Sequence, residues 1–269
     1  MASAIIAGIT SENNPSAIPM SDIILYDKCL EKTVEYQRQG ATLVSSVAEA
    51  AELADCVFLC VKPQNFPEVL PCFDDVTHVE NKLFVTIAAG ISMQTVSDAT
   101  HGACVVRVLP NTPIFVGKGV SALCATENVS SEDFDFVCNI FASSGSVLCI
   151  DESQMNRIIG VTSSSPAYVF AFIKAIFEGA VEQGLVKCPE NPDGIDPKYI
   201  LDSICDTLIG AAELMKVSDI TPDEQISRVA SKGGTTEQAL LELERYNFQE
   251  AVVSAMKKCT KRADELGRK

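Results

Sequence analysis

The sequence predicts an α/β, doubly wound sheet over residues 1–150, followed by an all-α domain over residues 151–269. Short continuous apolar runs alternate with helix-like stretches up to about residue 150, and beyond that point the strand signals stop. Length agrees, because 269 residues lie at the upper edge of what one hydrophobic core organises and two domains are the default. Strands alternating with helices imply a mostly parallel sheet covered on both faces.

The chain opens on Ala2-Ser-Ala-Ile-Ile-Ala-Gly8, small and apolar, which reads as a helix. Ile23 to Tyr26 is a short apolar strand ending at Asp27. Cys56 to Val61, Leu83 to Ile87 and Cys104 to Leu109 are continuously apolar, as strands buried on both faces are. Ser121 to Cys124 and Ser146 to Ile150 complete the set. Between them lie helical stretches from Ser46 to Leu53, Ser92 to Ala99 and Ser130 to Ser143. In the last, Ser130 or Ser131 is the N-cap, with acidic residues in the first turn.

In the second half, Pro166 to Leu185 is a long apolar helix with proline in its first turn. Asp196-Pro197 opens a helix to about Met215, Thr221-Pro222 opens another, and Thr236 to Arg245 and Phe248 to Leu266 make two more. Cys188 to Gly194 is a turn-rich loop. Tyr168 to Val181 is hydrophobic on most faces. A helix apolar all round must be buried on all sides, which a small domain hardly achieves alone, so a partner subunit is implied.

A net charge of −15 argues against nucleic acid and anionic membrane surfaces as partners. No apolar run reads as long enough to span a membrane, and Met1 to Met20 has no basic n-region of a secretory signal. The eleven cysteines include no CxxC pair, so zinc-site spacing is absent and no metal is expected; they read as buried thiols acting as small hydrophobes. Their odd number fits a reducing cytoplasm. His78 and His101 lie in no motif and read as surface residues.

Several strand ends carry ligand-like features. Val61, Lys62 and Pro63 end a buried strand, where open α/β sheets place ligands; a plain turn is the bland reading. Ala89 and Gly90 permit close approach of a ring, or simply a tight turn. Asn111, between Pro110 and Pro113, could steer a ligand or cap its own turn. Gly233-Gly234-Thr235-Thr236 before a helix reads as an anion nest, or as an N-cap loop with one threonine as cap.

Five strings taken together resemble the pyrroline-5-carboxylate reductase family. They are Val61-Lys-Pro63, Ala88-Ala-Gly90, Arg107-Val-Leu-Pro-Asn-Thr-Pro113, Ser164-Ser-Pro-Ala-Tyr168 and Lys232-Gly-Gly-Thr-Thr236, in family order over essentially the whole chain. The resemblance implies a Rossmann-like domain followed by a helical dimerisation domain, assembled as a homodimer or larger homo-oligomer. It implies hydride transfer from NAD(P)H to the C=N bond of 1-pyrroline-5-carboxylate, giving L-proline. Val61, Lys62, Pro63, Ala89, Gly90 and Asn111 would then face the cofactor. Gly233, Gly234, Thr235 and Thr236 would hold the substrate carboxylate, with Ser164 and Thr236 at the imine and Glu152 as a further substrate contact or, equally, a solvated acid in a loop. Asp27 suits a ribose 2′-hydroxyl and Lys28 a 2′-phosphate; family habit favours NADPH, with NADH the alternative.

Three departures temper the match. Ser163 and Ser165 replace glycines and could crowd the site, and Lys232 replaces a proline. The first helix starts at residue 1, so a sheet lacking its first strand and glycine-rich loop is expected, with Ile24 and Phe58 partly exposed at the gap. Two rival readings stand beside the reductase: a homologue that binds or assembles without turnover, and another dehydrogenase or imine reductase with a helical tail.

Overall fold

A computed structural model describes residues 1–267. Two compact units result: Met1–Pro166 with the chain from Met256 onward, and Ala167–Ala255. The division falls sixteen residues beyond the one read at 150, for a packing reason. Met155, Ile159 and Ala263 are buried in one cluster with the strand residues Phe84 and Val105, so these helical segments belong to the sheet's core.

In the first unit, α1 (Ala2–Ile9) precedes β1 (Ile24–Leu25), then α2 (Val34–Arg38), β2 (Thr42–Leu43), α3 (Val47–Leu53), β3 (Cys56–Leu59) and α4 (Phe66–Val69). β4 (Leu83–Thr86), α5 (Met93–Ala99), β5 (Cys104–Leu109), β6 (Gly119–Ala125), α6 (Ser131–Ala142) and β7 (Gly145–Cys149) follow. β1 and β2 pair in parallel as a separate two-stranded sheet, and β3-β4-β5-β6-β7 form the main one in that order. β3, β4 and β5 are parallel, with Phe84 opposite Val57 and Val105. β6 runs antiparallel to β5, because the connection Pro110–Lys118 is too short for a crossover. β7 is again parallel to β6 and is reached through α6. Gly145, at φ +148°, starts β7 where a Cβ would strike the backbone of Gly119.

The expected helices begin where the serines place them. The hydroxyls of Ser46, Ser92 and Ser130 accept from the N–H groups of Glu49, Thr95 and Asp133 and cap α3, α5 and α6. β2, a two-residue strand, carries too little periodicity to be read. The two faces of the main sheet have separate cores: Phe66, Phe73, Phe84 and Val105 on one, and α1 with Val85, Val106, Val137 and Phe141 on the other. Among the described residues β1 and β3 do not pair; Ile24 and Phe58 are half-buried, Phe58 lying against the α1 core.

α7 (Glu152–Ile158) leads through a π-helical turn (Ile159–Ser163) into α8 (Ser165–Glu182), after which come α9 (Pro197–Lys216), α10 (Pro222–Val229), α11 (Thr235–Arg245) and α12 (Phe248–Leu266). Glu152 therefore lies in the first turn of a helix, not in a loop. The sequence reading also underestimated this stretch: Glu152–Glu182 is a helical run of 31 residues, long and apolar enough by length and composition to cross a membrane. Val169, Phe170, Phe172, Ile176 and Val181 are exposed along α8. Within the second unit Phe172 packs on Phe248, ring centroids 6.2 Å apart. His78 and His101 are surface residues, as read. The cysteines are less buried than read: Cys124 is buried, Cys149 is exposed, and the rest lie between.

Candidate active site

The candidate site residues of the first unit include those in the loops after β1, β3, β4 and β5, at strand carboxyl ends, where open α/β sheets bind nucleotides. After β1, Asp27 closes a tight turn by accepting the Cys29 N–H at 2.8 Å. Lys28 pairs with Glu68, which raises the lysine's pKa and lowers that of the carboxylate, and Lys32 stands 4.0 Å from Asp27. Both lysines are well exposed, so this rim carries two cations, each beside an acid.

After β3, Lys62 caps a 3-10 turn whose first residue is Pro63, and the buried Phe66 anchors α4 in the core. After β4, Ala88 is buried and Ala89 half-buried. Gly90 has φ +82°, and a Cβ there would come 2.9 Å from Cβ of Leu266 and 3.1 Å from the Ala263 carbonyl. The glycine lies in a turn, one of the two readings of the sequence, and the space beside it admits α12.

Asn111 is 6% exposed and does something neither sequence reading anticipated. Its Oδ1 accepts the Val120 N–H at 2.8 Å, and its Nδ2 donates to the Thr162 carbonyl at 3.0 Å. The amide braces the start of β6 against the π turn. In that turn the Ser164 N–H bonds to Ile159 O at 2.8 Å. Ser165 Oγ donates to Thr162 O, and Ser163 Oγ is buried with no partner among the described residues. Ser164 itself is half-buried.

Glu152 accepts the Met93 N–H at 2.7 Å and the Arg107 guanidinium at 3.3 Å. Arg107, 3% exposed, also donates to Asn156 at 2.9 Å, and Asn156 donates to Asp264 at 2.9 Å. These groups line a polar cavity of about 400 Å³ together with Arg157. An arginine inside an otherwise apolar strand was the sequence signal for this network, since a buried charge requires partners.

In the second unit, Gly233 has φ +74° and its N–H donates to Glu237 Oε2 at 2.7 Å. Gly234 is the N-cap of α11 and donates to Ser231 O. Thr235 and Thr236 are therefore the first helical residues, and neither is the cap. Thr236 is half-buried and Thr235 exposed. Glu237 as occupant of the glycine turn escaped the sequence reading. Among the described residues no group of three or more His, Cys, Asp or Glu gathers as a metal set.

Residues 152–266 match the family pattern described as pyrroline-5-carboxylate reductase dimerisation, and residues 1–90 that of NADP oxidoreductase, coenzyme F420-dependent. The pyrroline-5-carboxylate reductase of Corynebacterium melassecola is 33% identical over 98% of this chain and 94% of its own length. That of Escherichia coli is 32% identical over 100% of this chain and 95% of its own. The chain belongs to the pyrroline-5-carboxylate reductase family. The NADP-bound pyrroline carboxylate reductase of Plasmodium falciparum superposes with a TM-score of 0.85 at 26% identity, covering 98% of this chain and 94% of that one. The Streptococcus pyogenes reductase gives 0.84 at 28% identity, covering 98% and 95%. Membership accounts for the five strings and their order, and it covers both units of the reductase.

Proposed function

We propose that this protein reduces the C=N bond of 1-pyrroline-5-carboxylate to give L-proline, using NADPH. The observation that carries the reading is full-length similarity, above 30% identity, to curated reductases of that name. Neither rival reading, a non-catalytic homologue or another dehydrogenase, has comparable support.

The strand-end loops fit the cofactor's sugar and ring. Ala88 and Ala89 give a smooth floor after β4, and Val61, Lys62 and Pro63 flank it after β3. Lys28, beside Asp27, suits a ribose 2′-phosphate and therefore NADPH, with NADH the weaker alternative. The N-terminus of α1 offers its backbone N–H groups to the pyrophosphate. When bound, the reduced nicotinamide supplies a hydride.

The chain's residues then bind and orient. We assign the substrate carboxylate to Gly233, Gly234, Thr235 and Thr236, at an N-terminus whose dipole favours an anion. The Thr236 and Ser164 hydroxyls are assigned to the imine nitrogen, as catalytic residues. The substrate iminium is already electrophilic, so positioning and exclusion of water, not strong acid catalysis, provide the rate. Glu152 is assigned a supporting place through Arg107 and Met93.

The chain is a homo-oligomer with a small-molecule substrate. We assign a homodimer, or a larger assembly of dimers, joined through the exposed apolar side chains of α8, which makes a membrane partner unnecessary for that helix. No role for nucleic acid is proposed, given the net charge of −15. A cytoplasmic location agrees with eleven reduced cysteines. The test is NADPH oxidation by purified protein with 1-pyrroline-5-carboxylate. Substrate-dependent oxidation with proline formed is expected; a folded oligomer that oxidises no NADPH would overturn the reading.

A further inference from the structure

Pro166 creates a defect that Asn111 repairs. In a regular helix the carbonyl of residue 162 accepts from the N–H of residue 166. Proline has no N–H, so the Thr162 carbonyl at the end of the π turn loses its helical donor. Asn111 Nδ2 supplies one at 3.0 Å, and Ser165 Oγ adds a longer bond at 3.3 Å. The other end of the same amide is fixed, because Oδ1 accepts the Val120 N–H. Asn111 itself sits in a stiff loop, held by Pro110 and by the 3-10 turn Thr112–Val116. Almost fully buried and bonded at both ends, it has one orientation.

The turn that it holds carries Ser164. The Ser164 N–H closes the i→i+5 bond to Ile159, so its backbone position follows the π geometry. π-helical turns recur at functional sites, where one extra residue re-aims a side chain. We infer that Asn111 is a positioning residue of the reductase: it stands in for the missing Pro166 donor, locks the π turn and thereby sets the aim of Ser164. This rests on the assignment of Ser164 to the imine, and it concerns a residue that the sequence reading gave to the cofactor.

The experiment separates bracing from general damage. Asn111→Asp keeps the acceptor for Val120 and removes the donor to Thr162. It is expected to lower kcat at least tenfold while leaving KM for NADPH within about twofold. Pro166→Ala restores an N–H at position 166 that can donate to Thr162. Combined with Asn111→Asp, it is expected to recover kcat at least threefold over the single variant. Should Asn111→Asp fold poorly, the same comparison is made with Asn111→Ala, alone and with Pro166→Ala. An unchanged kcat in the folded Asn111 variant, or a loss that Pro166→Ala does not relieve, overturns the inference. Ser164→Ala tests the underlying assignment separately. If its kcat is normal while the Asn111 loss and rescue persist, the assignment of Ser164 fails and the aim-setting role falls with it; only the bracing of the turn survives.

Discussion

The carboxylate of Glu237 accepts the backbone N–H of Gly233 at 2.7 Å. The glycine turn assigned to the substrate carboxylate thus already holds an acid of the same chain, one residue into the helix from Thr236. An incoming carboxylate must displace that side chain or sit beside its charge.

Glu237→Gln keeps an acceptor for Gly233 and removes the competing charge. KM for 1-pyrroline-5-carboxylate is expected to fall about two- to fivefold, the size of one partly screened charge interaction, with kcat unchanged. Steady-state kinetics check this; an unchanged or raised KM would remove Glu237 from the site. Gly234 is a poorer place to test the turn, because a Cβ there would lie 2.6 Å from Ser231 Oγ and would distort the loop itself.

Lys28 follows Asp27 in the chain, is exposed, and pairs with Glu68. Lys28→Ala is expected to reduce kcat/KM for NADPH roughly fivefold and to leave that for NADH almost unchanged, consistent with a solvent-screened phosphate contact. Equal effects on both cofactors would move the 2′-phosphate elsewhere.

Glu152 answers to Arg107, which is buried and needs its partner. Glu152→Ala would leave that guanidinium short of an acceptor and Met93 N–H uncapped. It is expected to cost about 1–3 kcal/mol in urea unfolding, the lower range for a pair with one partly exposed member. A loss of substrate affinity with stability intact would instead make Glu152 a direct substrate contact.

Burial raises the thiols of Cys56 and Cys124 to about 12 and that of Cys60 to about 11, from an ordinary value of 9.0. The folded state therefore holds these protons more tightly than the unfolded chain. Their contribution to stability is complete below the unfolded value and is lost as pH rises from about 9 toward 12. Urea midpoints should fall across that window, and Cys124→Ala should shallow the fall. An identical pH dependence in that variant would show that other groups govern alkaline unfolding.

Phe170 is 62% exposed on α8 amid other uncovered apolar side chains. Phe170→Asp is expected to shift the assembly toward monomer in sedimentation, because an obligate dimer interface buries on the order of 2,000 Å² of largely apolar surface. A wild-type monomer at micromolar concentration would refute the interface outright.

Sequence alone determined most of the main-sheet strands, several of the helices and the family strings, because burial imprints continuous apolarity on strands and serine caps mark helix starts. Cys104–Leu109 and Phe248–Leu266 appear with the boundaries read from the sequence. The sequence also placed Asn111, Gly90 and Gly233 in loops or turns at element ends, as the structure has them. It did not determine where their polar groups and free space go. Asn111 meets Thr162 fifty-one residues away, Glu152 meets Met93 fifty-nine away, and Gly90 admits Leu266 from the far end of the chain. Such pairings leave no periodic trace, since a hydrogen bond or a close contact depends on distance in space and not along the chain. Only the folding of the π turn and of α12 against the sheet decided them.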